Sequence, residues 1–468
     1  MICEPPPESP YEDSAVRLHQ GDNNMETKRT VIEAGCVLTM DDSYHLYKPG
    51  YVIVEGNTIK AVGEGAAPVH KGDDVVDLKG HLVMPGLINC HNHTPMVLTR
   101  GMCEGVSLFT MDGFINTLRR YESFADADMA SATVPVSCAE MIRTGTTCFV
   151  DQYFYADRIY EKVDKAGLRG VLAYGIVELG DPVARERELG RCEAFLELCR
   201  DNPRITGWVG PHAFFVDNSL DLIEREIALA KKFNAGFHIH FATSNEENDY
   251  CVPHFGCTAA VKMEELGILD IPIMAAHSIT ICQSDIELLA KHPFYPVMAP
   301  SAAMRSGFPA APVKAMREAG LNVVLGTDNV CNSNTYDMFS EMGVAGKLII
   351  HREQDVKAIT AKELVTMATR GGAKAIGREK DLGSLESGKK ADLIALDLHD
   401  IGWGPFCGQD YYTQLVYSVS GMSVTHTMVD GSWLMKDRRL RTLDYDACEA
   451  ALEGATSELL SRMAAEKR

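Results

Sequence analysis

The chain has 468 residues, 46% of them hydrophobic and 24% charged, an ordinary globular composition with enough length for a large core and two domains. Its formal net charge of −20 repels phosphate backbones, so nucleic acid is not an expected partner. No apolar run approaches the roughly 18 residues of a membrane helix, and fourteen scattered cysteines, with no Cys-x-x-Cys and no signal peptide, point to reduced thiols in a cytoplasmic protein.

Residues 1–28 are rich in Pro, Glu, Asp and Asn and predict a flexible N-terminal arm. Met25 is a candidate start for the folded unit. From Arg29 the texture becomes strand-like: Val31 to Met40, a hairpin across Gly56-Asn57, then Val75 to Leu78 and His81 to Met84. That all-β piece is too small to close a good core alone. Strand patterns within Gly388–Asp397 and Val424–Gly431 supply a partner. Residues 29–85 and 377–443 are therefore read as one small β-sandwich built from both ends of the chain. Residues 444–468 form an acidic, Ala/Leu-rich helix that packs on the sandwich or on a neighbouring subunit.

The centre, residues 86–376, alternates strand-like and helix-like stretches. Strands are expected at Leu87–His93, Thr146–Asp151, Arg169–Gly175, Ile205–His212, Ala235–His240, Ile273–His277, Tyr295–Ala299 and Asn322–Asp328. Eight strands alternating with helices over about 290 residues specify an α/β fold, a (β/α)8 TIM barrel. In such a barrel the C-terminal strand ends carry the chemistry. Here they read His91 and His93, Asp151, His212, His240, His277 and Asp328. His91 and His93 stand two apart, so on a strand both imidazoles point one way. His91, His93 and His240 offer neutral nitrogens and Asp328 an anionic oxygen. That set suits one divalent metal ion, Zn above all, with Co, Fe or Mn also compatible. His277 is placed to steer an attacking water. The alternative roles are structural: a packed core histidine for His277, a helix N-cap for Asp328.

Met84-Pro85-Gly86-Leu87-Ile88-Asn89-Cys90-His91-Asn92-His93, His238-Ile239-His240, Ala276-His277-Ser278, Gly326-Thr327-Asp328-Asn329 and the late stretch Gly383 to Leu393 together resemble the amidohydrolase superfamily. The likeness is to the branch of triazine hydrolases, chlorohydrolases and aminopurine deaminases. It spans nearly the whole chain after residue 30. It implies that His91, His93, His240 and Asp328 bind the metal, and that His277 orients the water with Asp328 as base. Binuclear relatives carry a bridging Lys or Glu on the fourth strand. Ile205 to Gly210 has neither, and Lys231 and Lys232 fall in the following helix, so one metal is expected.

One position departs from the branch. Its deaminases and triazine hydrolases carry Glu three residues after the fifth-strand histidine; here that residue is Thr243. Attack on an aromatic C–N bond needs a protonated ring, whereas a metal polarises a carbonyl by itself. The expectation from Thr243 is thus a hydrolase of a carbonyl C–N bond in an uncharged urea or amide, most like the bacterial phenylurea herbicide hydrolases. The alternatives are cleavage of a thiocarbamate at its C–S bond, as in the related molinate hydrolase, a heterocycle deaminase that recruits Glu246 or Glu247, and a non-catalytic scaffold. His212, Thr243 and His254 are candidate substrate contacts. Met96, Leu98, Met102, Leu108, Phe109, Met111, Phe154 and Tyr155 are candidate pocket walls. A homodimer or homotetramer is expected from the resemblance.

Overall fold

The computed structural model describes residues 29–178, 180–404 and 410–466; the expected N-terminal arm, 1–28, lies outside them. Eight parallel strands stand in chain order around a barrel. They are β1 (Leu87–Asn92), β2 (Thr146–Tyr153), β3 (Arg169–Ile176), β4 (Ile205–Pro211), β5 (Phe237–Phe241), β6 (Ile273–His277), β7 (Phe294–Met298) and β8 (Val324–Leu325). β1, β2, β3 and β6 are buried at every position. That is how a strand covered on both faces reads, as a continuous apolar run instead of an alternation. Helices fill the crossovers, and their starts are set locally. Asp126 caps Ala127–Arg143 by accepting from the Asp128 and Met129 N–H groups, and Ser219 caps Leu220–Phe233 by accepting from Leu222 N–H.

β8 is shorter than its apolar pattern predicts. The ladder stops at Leu325, and the residues after it bond sideways to β1. Thr327 N–H donates to Asn89 Oδ1 at 3.0 Å, Asn89 Nδ2 donates to Thr327 Oγ1 at 2.8 Å, and Asp328 N–H donates to the His91 carbonyl at 2.9 Å. A Cβ on Gly326 would sit 2.6 Å from His91 N, so only glycine permits this approach.

Both ends of the chain contribute to a second, mixed sheet. In spatial order its strands are Arg439–Leu440, Ser432–Lys436, Val424–Val429, Leu393–Asp397, Asp74–Pro85, Arg29–Leu38, Gly50–Glu55 and Thr58–Glu64, with Leu46–Tyr47 paired to Arg29–Leu38. The hairpin turns at Gly56, φ +60°, with Glu55 opposite Thr58. An apolar cluster of its own, including Ile32, Val52, Ile59, Leu78 and Leu393, fills this domain. The C-terminal helix, Tyr445–Glu466, packs elsewhere than expected. Leu459 and Ala455 bury against Met129 of the first barrel helix and against Leu98, because its apolar residues match an uncovered stripe on the barrel, not on the sheet.

One buried ion pair joins the two domains. Arg169, at the start of β3 and 2% exposed, grips Asp392 through Nε and Nη2, both at 2.9 Å, and reaches Asp430 at 3.2 Å. Asp392 also accepts from Asp430 N–H at 2.9 Å. The late Lys-Lys-Ala-Asp-Leu stretch thus carries a structural carboxylate. Replacing it by alanine strands a buried guanidinium, and Asp392→Ala is expected to cost about 3–5 kcal/mol in urea unfolding, whereas Arg169→Met with Asp392→Leu recovers most of that loss. A single variant within about 1 kcal/mol of the parent would show that the pair does not hold the domains together.

Candidate metal centre and active site

Parallel strands send their C-terminal ends to one mouth, so residues far apart in sequence converge. β1 delivers His91, and His93 follows one residue beyond its end. β5 delivers His240 and β6 ends on His277, while Asp328 stands three residues past β8. The donor nitrogens of His91, His93 and His240 lie within 4.8 Å of one another, as do the donor atoms of His91, His277 and Asp328. Asp328 Oδ1 is 3.3 Å from His91 Nε2 and 3.4 Å from His93 Nε2. The His93 and His240 rings stack 5.3 Å apart, 9° from parallel.

The rings are held by their other nitrogens. His93 Nδ1 donates to the Gln152 carbonyl at 2.6 Å and His240 Nδ1 to the His212 carbonyl at 3.2 Å, while His91 Nδ1 sits 2.8 Å from His238 Nε2. That arrangement leaves each Nε2 as the free lone pair. His91 Nε2, Asp328 Oδ2 and His277 Nδ1 are buried without a hydrogen-bond partner. Orphaned buried polar atoms are costly, and a divalent cation among them would satisfy the first two. Three imidazoles and a carboxylate are a fitting donor set for Zn. Lys231 and Lys232 are exposed on the Leu220–Phe233 helix, facing away from the mouth.

Burial sets the charge states. It lowers His277 to about 3, against the opposing pull of Asp328, and it takes His240, crowded by neighbouring imidazoles, well below the usual histidine range. Burial would raise Asp328, but contacts from His91 and His93 outweigh it and hold the carboxyl well below the usual range. At neutral pH the mouth thus holds neutral His240 and His277 beside a carboxylate. Backbone strain accompanies this geometry: His277 has φ +78° and Asp328 φ +60°. Left-handed non-glycine residues cost about 1–3 kcal/mol each and persist where the surroundings impose them.

Above the centre opens a cavity of about 1280 Å³, its open mouth included. Leu108, Phe109, Phe114, Leu118 and Phe154 give it an apolar wall, and Phe109 lies 4.4 Å from His277, ring centre to ring centre. Thr243 and His212 line it as expected. The His212 ring is 4.7 Å from that of His240, and its Nδ1 meets Asp217 Oδ2 at 2.5 Å. His254 does not belong here. It is exposed, stacked on Tyr250 and bonded to the Tyr250 carbonyl at 2.7 Å, because the helix Glu246–Phe255 carries it out to solvent. Met96, Leu108, Phe109 and Phe154 line the cavity, whereas Leu98, Met102 and Tyr155 do not; the Met111 side chain lies outside the described residues.

Several further residues support the site. Asp151 accepts from Thr94 N–H at 2.7 Å and from Thr94 Oγ1 at 2.9 Å, fixing the turn after His93. Gln152 Nε2 donates to the His238 and Pro211 carbonyls. His238 had a legible signal, since it stands two residues before His240 and a strand turns both the same way. Gln152 and Asp217 have none, whereas Glu247 is one of the two acids that the stretch after Thr243 offers to a deaminase.

Comparison with known proteins matches residues 82–434 to the amidohydrolase family. A 5-methylthioadenosine/S-adenosylhomocysteine deaminase of Caldanaerobacter subterraneus is 34% identical over 87% of this chain and 94% of its own. A zinc-bound adenosine deaminase of Xanthomonas campestris superposes with a TM-score of 0.88 at 27% identity, over 93% of this chain and 99% of that one. A zinc-bound atrazine chlorohydrolase of Arthrobacter aurescens shares the fold, with a TM-score of 0.82 at 21% identity over 91% of this chain and all of its own. The phenylurea and thiocarbamate expectation drawn from Thr243 is overturned by the deaminase relatives. Glu247, four residues beyond Thr243, is buried and also lines the cavity, so an acid is not missing from the mouth.

His238 offers a test of the layer behind the ligands. His238→Ala leaves every proposed donor in place but frees the His91 ring, and it is expected to weaken zinc affinity about 10–100-fold in competition with a chromophoric chelator. Undiminished affinity would mean that His91 is oriented by other contacts.

Proposed function

Because the chain belongs to the amidohydrolase family, we propose that it is a metal-dependent deaminase that exchanges the exocyclic amino group of an aminopurine nucleoside for a carbonyl oxygen and releases ammonia. The observation that carries this reading is the 34% identity to a 5-methylthioadenosine/S-adenosylhomocysteine deaminase over 87% of the chain. The cavity agrees in kind: it is roomy, aromatic-walled and polar at its base, as a nucleoside needs.

In this reading His91, His93, His240 and Asp328 hold one divalent ion, Zn by donor type. When bound, that ion supplies the Lewis acidity that brings a water pKa down to about 7. The protein groups do the rest. His277, neutral and left-handed at the end of β6, presents an imidazole that accepts a proton from the attacking water. Asp328 keeps its carboxylate anionic and shares that proton. His212, braced by Asp217, points a ring nitrogen at the purine edge. Phe109 and Phe114, both on the cavity wall, offer the base apolar ring surface.

The test uses the zinc-loaded full chain with adenosine, methylthioadenosine and S-adenosylhomocysteine, following ammonia release and the shift of purine absorbance. A turning substrate with kcat/KM of about 10⁴ M⁻¹s⁻¹ or more is expected, with kcat lowered about 10²–10⁴-fold in His277→Ala. Absence of ammonia from every aminopurine in the panel would sink the proposal.

A further inference from the structure

Replacing an amino group on an aromatic ring demands an acid at the ring nitrogen, and Thr243 cannot be one. Resting on the deaminase reading above, we propose that Glu247 is the catalytic acid, protonating the ring nitrogen from the first turn of the following helix.

Elimination among the carboxylates that line the cavity points to it. Asp328 belongs to the metal centre. Glu122 is paired with Arg119 at 2.9 Å, and Asp217 is committed to His212 and to Ala213 N–H. Glu246 is half-exposed. Glu247 is 6% exposed, and among the described residues no cation pairs with it. One of its oxygens accepts from Ala242 N–H at 2.9 Å. That bond places the carboxyl at the end of β5, against backbone only two residues beyond His240. Ala242 itself is left-handed, φ +50°, and its carbonyl accepts from Ile279 and Thr280 N–H at 2.8 and 2.9 Å. The acid is therefore anchored to the strip of chain that joins the ends of β5 and β6, which carry His240 and His277.

Burial raises the Glu247 carboxyl to about 7. Glu246 on its own helix, Asp217 from the loop after β4 and Cys251 one turn on face it; none is cationic, and the backbone N–H groups of Ala242 and Glu247, which pull the other way, are outweighed by burial. An acid near the working pH is the effective kind.

The step balances. The water oxygen bonds to the ring carbon as Glu247 passes its proton to the adjacent ring nitrogen. The proton that water sheds is held by His277 and Asp328 and moves to the amino group. The C–N bond breaks, its electron pair leaving with ammonia. The remaining hydroxyl proton returns to Glu247 as the carbonyl forms.

The test measures kcat, KM, zinc content and the pH profile of the zinc-loaded full chain on the aminopurine that turns over fastest. Glu247→Gln is expected to lower kcat about 10²–10⁴-fold with KM within about threefold and zinc unchanged, and Glu246→Gln to stay near the parent. Thr243→Glu in the Glu247→Gln background is expected to restore kcat at least about tenfold, a rescue that a merely structural Glu247 would not allow. The parent kcat should fall as pH rises through about 7, since the acid form is lost there, and Glu247→Gln should abolish that limb. Glu247→Gln retaining a third of the parent kcat overturns the proposal. If Glu247→Gln does not fold, the parent profile decides: a kcat level to pH 8.5 overturns it. A parent inactive on every aminopurine removes the deaminase reading and this one with it, whereas an active parent with an active Glu247→Gln removes this one alone.

Discussion

The hydrogen bond from Asp328 N–H to the His91 carbonyl, 2.9 Å long, is the contact on which the molecule turns. It lies on the seam where the last barrel strand meets the first. Asn89 and Thr327 reinforce it from below with two side-chain bonds, and Gly326 lets the two backbones touch. Barrel closure and assembly of the donor set are consequently one event. A barrel sprung at this seam would part Asp328 from His91 and His93. The left-handed backbone at Asp328 follows from the same constraint, because a residue that continued the extended strand would carry its carboxylate past the mouth instead of into it.

Around that seam the interior keeps imidazoles neutral by withholding water. His91, His240 and His277 are all lowered from ordinary values, burial being the first cause in each. His93 goes the other way, since Asp328 outweighs its burial. Low polarity alone would make such a cluster expensive. The carbonyls of Gln152 and His212, with the His238 ring, each take one nitrogen, and the remaining donors converge where a cation would balance them. Supporting groups behind the ligands thereby convert a crowded set of histidines into a directed one.

The barrel was legible because most of its strands are buried apolar runs, several of them leading to a histidine or carboxylate at the mouth. Leu87-Ile88 ahead of His91, Ile273 to Ala276 ahead of His277, and Val323 to Gly326 ahead of Asp328 are examples. The length of β8 was not legible, since sideways bonding to Asn89 interrupts a pattern that is otherwise strand throughout. Substrate class was the harder loss. Thr243 announces a missing acid by its spacing, but whether Glu246 or Glu247 turns inward depends on how the chain leaves β5. Ala242 in a left-handed turn fixes that direction, and no propensity at Phe241-Ala242-Thr243-Ser244 foretells it. His254 failed for the same reason, being one more residue whose side of a short helix was set by the preceding turn.

The Arg169–Asp392 clamp has a consequence for biogenesis. The two partners are separated by 223 positions, and the sheet that holds the carboxylate takes strands from before and after the barrel. While the ribosome is still translating the β-strands of the barrel, the guanidinium at the foot of β3 has no counter-ion, and the N-terminal strands, paired with one another, lack the Leu393–Asp397 strand along the Asp74–Pro85 edge. The buried pair and the second sheet can therefore be completed only after the strands that follow the barrel have emerged.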